Sequence, residues 1–223
     1  ACFPGQISCG GVRGETAPMF RSILVIIISY LVGSIPFGLI IGRLWAKIDV
    51  REYGSGNIGT SNVLRTVGPW AAITVFALDV AKGAAAVYLA TLAGADYVRI
   101  LAGVAAIVGH NWPIYLRFRG GKGIATSLGV VITLTPVVAL MLLGLWIIIV
   151  GITRYISLAS LAVAFLFPLF LIVFDAPWTY VLAGVLISAF AFHRHRDNIK
   201  RLLGGTEHKI GQKANKKADP KDS

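Results

Sequence analysis

Residues 54–65 read GSGNIGTSNVLR, a polar and glycine-rich segment in a chain that is otherwise mostly apolar. The segment lies between apolar runs at about residues 22–45 and 70–92, each long enough to cross a bilayer as a helix. Its glycines let the backbone turn N–H groups toward a ligand, and residues 60–62 offer caps for a short helix that carries Arg65. Because a helix start and an arginine both favour anions, we interpret the segment as a phosphate-binding loop.

The spacing of Gly54, Gly56 and Gly59 also matches the dinucleotide-binding fingerprint. That fingerprint requires a strand before the glycines and a βαβ unit around them. A long apolar segment precedes them here, so we reject a Rossmann fold. An ordinary membrane-protein loop with turn glycines is the alternative for this motif taken alone.

The composition indicates a membrane protein. Hydrophobic residues make up 56% of the 223 residues and charged residues only 14%, whereas a soluble domain has about a quarter of its residues charged. We therefore expect an all-α integral membrane protein. The two cysteines, Cys2 and Cys9, precede the first apolar run, so no disulfide framework or thiolate chemistry is expected in the membrane body.

Apolar runs along the chain predict seven transmembrane helices. They lie at about residues 22–45, 70–92, 97–115, 156–174 and 178–192, with two more in residues 124–151, which TLTP at residues 133–136 divides. Basic residues concentrate after the first, third, fifth and seventh runs, and the positive-inside rule assigns these connections to the cytoplasm. We expect a seven-helix bundle with its N-terminus outside and its C-terminus cytoplasmic, and with all the polar motifs near one face.

We expect one membrane domain, residues 19–208, between two terminal segments. Residues 1–18 lack the apolar core of a signal peptide, so we expect a leader, non-native or disordered, with Met19 as an alternative start. Residues 209–223 carry many charges and no apolar periodicity, and we expect a disordered basic tail. The lysines of this tail either provide solubility or contact anionic headgroups.

A second polar motif comprises GHNWP at residues 109–113 and FRGGKG at residues 118–123. Its final turn opens the fourth predicted span, so backbone donors, a helix N-terminus and an ammonium group coincide and suit a phosphate. The spacing of a Walker A loop is missing. A flexible, positively charged connection is the alternative interpretation, with His110 a buried hydrogen bonder and Trp112 an interfacial aromatic.

A third motif, HRHRDNIKRLLGGTE at residues 193–207, begins where the seventh predicted span meets water. His195, Asn198 and Arg201 lie three residues apart and share one helix face, which offers an imidazole, an amide and a guanidinium. A basic membrane-anchoring end is the alternative. Because no acidic or cysteine partner clusters near the two histidines, we predict no metal site.

Two ionisable residues, Asp79 and Lys82, lie inside the second predicted span at i, i+3 spacing. Ionisable groups at this depth are costly and either pair with one another or serve function. Mutual pairing is the simpler account, and a role in positioning the glycine loop is the other.

Known catalytic patterns exclude several chemistries. The chain lacks G-x-S-x-G, H-E-x-x-H and a paired-carboxylate motif, so acyl-enzyme, zinc and magnesium chemistry have no visible apparatus. Three cation-bearing motifs on one membrane face suit a reaction between anionic substrates, one of them lipidic. A phosphate transporter is a rival, but it would place polar groups near the bilayer midplane. A lipid-binding scaffold, a second rival, would need the basic tail but not three glycine-bearing motifs.

Together the three motifs resemble the bacterial PlsY family, the acyl phosphate:glycerol-3-phosphate acyltransferases. Residues 54–65 match its G-S-G-N-x-G-x-x-N-x-x-R, and residues 109–110 and 118–123 match its G-H and F-x-G-G-K-G. Residues 195–207 match its H-R-x-N-I-x-R-L-x-x-G-x-E, and residues 79–83 are similar to its D-x-x-K-G. The resemblance covers nearly all of the chain after about residue 22.

The resemblance implies transfer of a fatty acyl group from acyl phosphate to the 1-hydroxyl of glycerol-3-phosphate. The products are lysophosphatidate and inorganic phosphate, in the first step of bacterial phospholipid synthesis. It also implies a multi-pass protein of the bacterial cytoplasmic (inner) membrane, with its active site near the cytoplasmic face. The expected partners are the two substrates and the lipid bilayer, with no cofactor, no metal and no nucleic acid.

The resemblance further implies roles for residues of the motifs. We expect Arg65 and Lys122 to bind phosphate and stabilise developing charge, Ser55 to lie near the reacting groups, and His195 and Asn198 to orient glycerol-3-phosphate. Either His195 or the departing phosphate takes the hydroxyl proton. The other residues expected to contact substrate are Gly54, Gly56, Asn57, Gly59, Thr60, Asn62, His110, Gly120, Gly121, Gly123 and Arg201. The residues expected to support the site are Asp79, Lys82 and Glu207.

Overall fold

A computed structural model describes residues 16–91 and 96–212 of the chain, and these residues fold into helices joined by short turns. The helices are α1 (Thr16–Gly33), α2 (Phe37–Ala46), α3 (Thr60–Thr66), α4 (Pro69–Thr91), α5 (Asp96–Asn111), α6 (Ile124–Leu134), α7 (Pro136–Thr153), α8 (Ile156–Val173), α9 (Trp178–Arg194) and α10 (Arg196–Leu203). Two 3-10 turns, Val50–Glu52 and Ile114–Leu116, lie in the connections. The predicted all-helical architecture is confirmed for the described residues.

Each predicted span coincides with helical structure, although the spans differ in length. Four segments are long and apolar enough to cross a bilayer: Met19–Ala46, Pro69–Thr91, Pro136–Thr153 and Ile156–Val173. Helices α5, α6 and α9 have 16, 11 and 17 residues, so their crossing of the membrane stays a prediction. Large apolar side chains such as Ile147, Ile148 and Phe165 are exposed on the helices, as lipid-facing residues are.

Prolines divide two of the apolar runs. Helices α1 and α2 are separated at residues 34–36, because Pro36 has no N–H to donate and disfavours a helical conformation at Ile35. The predicted division of the fourth apolar run is also present, since Pro136 begins α7 and Thr135 caps the end of α6. The first break frees the Ile35 carbonyl inside the bundle, where Lys82 Nζ of α4 donates to it at 3.0 Å.

Glycines allow α4 and α6 to pack closely. A Cβ at Gly83 of α4 would collide with the Thr126 carbonyl of α6, and one at Gly129 of α6 would collide with the Val80 carbonyl. The start of α6 therefore lies beside the middle of α4. The buried core beyond this contact includes Val87, Ile107, Val130, Leu142, Phe167 and Leu171. This packing fixes the turn that precedes α6 against the body of the protein.

Parts of both predicted terminal segments lie outside the described residues. The structure does not describe residues 1–15 of the predicted leader or residues 213–223 of the predicted tail, nor residue 92 of the second predicted span. The described start of the tail is attached to the turn between α7 and α8. Ile210 N–H donates to the Arg154 carbonyl at 2.9 Å, and Arg154 Nη2 donates to the Ile210 carbonyl at 3.0 Å. Ile210 is thus tied to Arg154 by two hydrogen bonds, which the composition of the tail does not predict.

Candidate active site

The three sequence motifs meet around one cavity of about 130 Å³. Its walls come from the glycine loop, the start of α6, the start of α8 and the junction of α9 and α10. The predicted site residues that line it are Ser55, Asn57, Gly59, Thr60, Asn62, Arg65, Asp79, His110, Lys122, Gly123, His195, Asn198 and Glu207. Those that do not line it are Gly54, Gly56, Lys82, Gly120, Gly121 and Arg201.

The glycine loop is held by its own asparagines. Gly54 and Gly56 have φ of 53° and 70°, a backbone region that favours glycine. The buried Asn62 amide accepts from the Ser55 N–H at 3.0 Å and donates to the Val50 carbonyl at 2.8 Å. Asn62 therefore braces the loop, and the Ser55 N–H is not free for a ligand.

The rest of the loop offers fewer backbone donors than the sequence predicts. Asn57 Oδ1 accepts from the Gly59 N–H at 2.8 Å, so this donor is also used within the loop. The Thr60 hydroxyl, in contrast, is buried, lines the cavity and has no hydrogen-bond partner among the described residues. The polar groups that this segment still offers in the cavity wall include the Thr60 hydroxyl and the Arg65 guanidinium, beside Ser55 and Ser61.

A chain of polar side chains connects the second and third motifs. Lys122 Nζ donates to Asn198 Oδ1, and Asn198 Nδ2 donates to Glu207 Oε1 at 2.8 Å. Arg201 Nε donates to Glu207 Oε2 at 2.8 Å, which explains why Arg201 lies behind the cavity rather than in its wall. Glu207 is only 6% exposed and thus fixes the orientation of Asn198. The amide of Asn198 in turn holds the Lys122 ammonium.

Burial and neighbouring charges set the ionisation of these groups. Burial lowers the pKa of Lys122 to about 8 and lowers the pKa of Arg65 below its ordinary value. Burial acts to raise the pKa of Glu207, but hydrogen bonds from Asn198 and Arg201 outweigh it and keep that pKa low. At neutral pH the cavity therefore holds two cations, with the Glu207 carboxylate behind them.

His195 is a neutral imidazole at neutral pH. Burial, and second the charge of Lys122, lower its pKa to about 4. Its Nδ1 lies 2.7 Å from the Ala191 carbonyl, which as a pure acceptor requires the proton on Nδ1. The Nε2 atom is then an acceptor, and the ring can receive a hydrogen bond from a hydroxyl in the cavity.

The turn that carries Lys122 is fixed from two sides. Gly121 N–H donates to the His110 carbonyl at 3.0 Å. From the other side, Arg194 Nε donates to the Gly121 carbonyl at 2.9 Å and Nη2 to the Gly120 carbonyl at 2.8 Å. Arg194 carries no sequence signal of this role, because it stands in a run of four basic or histidine residues with no feature that separates it from its neighbours.

Asp79 and Lys82 form a buried ion pair, as their spacing predicts. Lys82 Nζ lies 2.6 Å from Asp79 Oδ1 and also donates to the Ile35 carbonyl at 3.0 Å, at the break between α1 and α2. His110 Nδ1 lies 3.5 Å from the same Asp79 oxygen. The pair thus connects α4 to the helix break and to α5. Lys82 itself does not line the cavity.

A second, apolar cavity of about 110 Å³ adjoins the polar one. The two share four lining residues, Phe76, Ile124, Trp146 and Ser160, and Trp146 Nε1 donates to Ser160 Oγ at 3.2 Å. The remaining apolar lining includes Leu128, Leu142, Val163 and Phe167. Sequence reasoning missed this cavity, because its residues belong to uniformly apolar runs that show no periodic signal.

Within residues 16–91 and 96–212, no group of three or more histidine, cysteine, aspartate or glutamate side chains is arranged to hold a metal ion. The two carboxylates in the cavity wall, Asp79 and Glu207, are paired with Lys82 and Arg201, so the Arg65 and Lys122 cations and neutral donors are left for a ligand. Such a set suits the oxygens of a phosphate.

Comparisons with known proteins agree with this chemistry. The family model described as glycerol-3-phosphate acyltransferase matches residues 23–205. The glycerol-3-phosphate acyltransferase of Thermoanaerobacter pseudethanolicus is 44% identical over 192 residues, covering 86% of this chain and 97% of the relative. The corresponding protein of Desulforudis audaxviator is 47% identical over 185 residues, covering 83% of this chain and 93% of the relative.

Two solved structures have the same fold. Both are crystal structures of PlsY, an integral membrane glycerol 3-phosphate acyltransferase. The glycerol 3-phosphate form gives a TM-score of 0.81 at 40% identity and covers 85% of this chain and 96% of that chain. The lysophosphatidic acid form gives a TM-score of 0.79 at 39% identity, with coverage of 85% and 95%.

Proposed function

Because the chain belongs to the glycerol-3-phosphate acyltransferase family, we propose that it transfers a fatty acyl group from acyl phosphate to the 1-hydroxyl of glycerol-3-phosphate. The products are lysophosphatidate and inorganic phosphate. The observation that carries the proposal is the junction of two cavities. A polar cavity with Arg65 and Lys122 adjoins an apolar cavity across Trp146 and Phe76. A substrate with a phosphate head and a hydrocarbon chain fits both.

The cations of the polar cavity bind the phosphates of the two substrates. Lys122 and Arg65 supply charge, and the Thr60 hydroxyl and the N-terminus of α6 supply directed donors. With a pKa of about 8, Lys122 is largely protonated at pH 7. These groups also stabilise the negative charge that develops on the transferring carbonyl and on the departing phosphate. Ser55, in the wall of the same cavity, lies near the reacting groups.

The reaction is a direct displacement at the acyl carbonyl carbon. The 1-hydroxyl oxygen attacks this carbon, the bond from the carbon to the phosphate oxygen breaks, and phosphate leaves with the electron pair. Acyl phosphate is already activated, so no covalent enzyme intermediate is needed. His195 and Asn198 orient the hydroxyl, and His195 Nε2 accepts its hydrogen bond.

The departing phosphate takes the proton of the hydroxyl group. A base is most effective when its pKa is near the working pH, and the pKa of His195 is only about 4. The departing group is inorganic phosphate, and even the related phosphate monoesters have a second pKa at about 6, much closer to neutrality. His195 therefore acts through orientation rather than as the main proton acceptor.

The positions of the apolar runs and of the basic connections also suggest how the chain lies in the membrane. We propose that residues 19–208 cross the bacterial inner membrane seven times, with residues 1–18 as a leader outside and residues 209–223 as a cytoplasmic tail. The basic connections of the three motifs support a cytoplasmic site, because such residues remain on the cytoplasmic side. Glycerol-3-phosphate then enters from water, and the acyl donor enters from the bilayer through the apolar cavity.

Phosphate release from purified protein given palmitoyl phosphate tests the proposal, with and without glycerol-3-phosphate and without added metal or coenzyme A. We expect release that requires the acceptor and forms lysophosphatidate. The Lys122→Ala variant should lose it, whereas Lys200→Ala, which removes an exposed lysine of α10, should not. Release without the acceptor would indicate an acyl phosphatase. Uptake of phosphate into vesicles without acyl transfer would favour a transporter.

A further inference from the structure

Arg194, the last residue of α9, uses its guanidinium on backbone rather than on a carboxylate. Its Nε and Nη2 atoms donate to the carbonyls of Gly121 and Gly120 at 2.9 and 2.8 Å. Among the described residues, no carboxylate forms an ion pair with it. Arg194 does not line the polar cavity either, so it is not placed to bind substrate. Its two charge-assisted bonds both fall on one turn, the turn that carries Lys122.

The side chain is itself held in place. The guanidinium carbon lies 5.7 Å from the ring centre of Trp112, a cation–π distance. The Trp112 ring packs edge-on against Phe190 of α9, with ring centres 5.5 Å apart. The backbone carbonyl of Trp112 accepts a hydrogen bond from the Tyr30 hydroxyl at 2.9 Å. Arg194 thus contacts a ring that is itself held by Phe190 and Tyr30. A fork fixed in this way can define the direction of the carbonyls that it binds.

The direction of these carbonyls determines where the next donors point. In a trans peptide the C=O and N–H bonds are antiparallel, and no peptide bond among the described residues is cis. Fixing the Gly121 carbonyl toward Arg194 therefore directs the Lys122 N–H the opposite way. The Gly121 N–H is fixed to the His110 carbonyl at 3.0 Å. The turn is therefore restrained on both sides immediately before the Lys122 side chain.

We propose that Arg194 is a positioning residue, which fixes the Gly120–Lys122 turn so that the Lys122 ammonium and backbone N–H face the phosphate-binding cavity. Its effect on acyl transfer rests on the proposed function, whereas its effect on the geometry of Lys122 does not. The alternative is that Arg194 only stabilises the bundle. That role would lower the yield of folded protein and leave the kinetics of folded molecules unchanged.

Kinetics of three variants separate these roles. Arg194→Met removes the fork, Arg194→Lys keeps a charge and part of the hydrogen bonding, and Arg196→Met is a matched control. Arg196 is 68% exposed, and its Nε lies 3.9 Å from the Asp197 carboxylate. In monodisperse protein we expect Arg194→Met to lower kcat by about 10- to 100-fold, because charged hydrogen bonds of this kind have such weight. Arg194→Lys should recover part of the loss, and Arg196→Met should remain within about twofold.

A second readout needs no substrate. Acetylation of Lys122 by a water-soluble amine-reactive ester is followed by peptide mass spectrometry, with exposed Lys200 as the internal reference. We expect the relative rate at Lys122 to change by about threefold or more in Arg194→Met, as its contacts loosen, and not in Arg196→Met. Unchanged kcat and unchanged Lys122 reactivity in folded Arg194→Met would overturn the inference. If wild-type protein lacks acyl transfer, the proposed function fails, and the Lys122 reactivity alone decides the inference.

Discussion

Replacement of Glu207 by glutamine tests the hydrogen-bonded side chains Lys122, Asn198 and Glu207 in the cavity wall. The Glu207 carboxylate accepts one hydrogen bond from Asn198 Nδ2 and one from Arg201 Nε, both at 2.8 Å. Glutamine offers one oxygen and one amide donor, so one of these two donors loses its acceptor. The glutamine oxygen should face the Arg201 guanidinium, which leaves the buried Asn198 amide unpaired. The unpaired buried donor costs about 1–3 kcal/mol, and loss of charge weakens the retained bond by about 1 kcal/mol. We expect a loss of about 2–4 kcal/mol in the free energy of unfolding.

This loss has two measurable consequences. For a chain of this length, thermal unfolding in detergent, followed by circular dichroism, should show a Tm lower by about 4–15 °C. Because Asn198 holds Lys122, kcat/KM in the phosphate-release assay should also fall by about tenfold or more. Asp197→Asn is the matched control, since Asp197 is 70% exposed and has only a 3.9 Å contact with Arg196. If Glu207→Gln matches Asp197→Asn in both Tm and kcat/KM, these hydrogen-bonded side chains do not brace the site.

Three further substitutions test the cavity residues. Lys122→Met should lower kcat/KM by about 10- to 100-fold, with Lys200→Met as the control. In wild type, kcat/KM should fall as pH rises through about 8, where Lys122 loses its proton, and a pH profile unchanged by Lys122→Met would contradict the role of Lys122 as the titrating cation. His195→Gln should lower kcat by less than about tenfold at saturating substrate, because His195 orients the hydroxyl and is not the base. A loss of about 10²–10⁴-fold, the cost of a lost general base, would make His195 the base. Phe167→Leu should raise kcat/KM for stearoyl relative to myristoyl phosphate by up to about tenfold, since Phe167 lines both the apolar cavity and a smaller one of about 20 Å³, so that two more methylenes can be buried. An unchanged ratio would place the acyl chain outside the apolar cavity.

Local signals predicted much of this architecture. Apolar runs of bilayer length gave the helix positions, and the prolines gave a break at residues 133–136. The three motifs could be predicted to meet because basic residues alternate along the connections, which requires no knowledge of packing. The i, i+3 spacing of Asp79 and Lys82 predicted their ion pair, because local geometry alone makes such residues neighbours on a helix face.

The features that sequence reasoning missed depend on tertiary contacts. The apolar cavity is enclosed by side chains from five different helices, and uniformly apolar runs do not indicate which face meets a void. Arg194 and Arg196 belong to one short basic run, and only their tertiary contacts distinguish a guanidinium bound to the Gly120 and Gly121 carbonyls from one that is exposed. In the glycine loop, the predicted N–H donors of Ser55 and Gly59 are occupied by asparagine side chains, because the loop satisfies its own backbone first.

In the proposed reaction the acyl group passes from acyl phosphate to the hydroxyl oxygen of glycerol-3-phosphate. The most direct test supplies purified protein with palmitoyl phosphate and glycerol-3-phosphate carrying ¹⁸O in its 1-hydroxyl, followed by mass spectrometry of both products. Attack by this oxygen on the acyl carbon predicts lysophosphatidate with ¹⁸O in its ester and inorganic phosphate without label. Free palmitate with a labelled glycerol bisphosphate, or with unchanged glycerol-3-phosphate, would contradict the account.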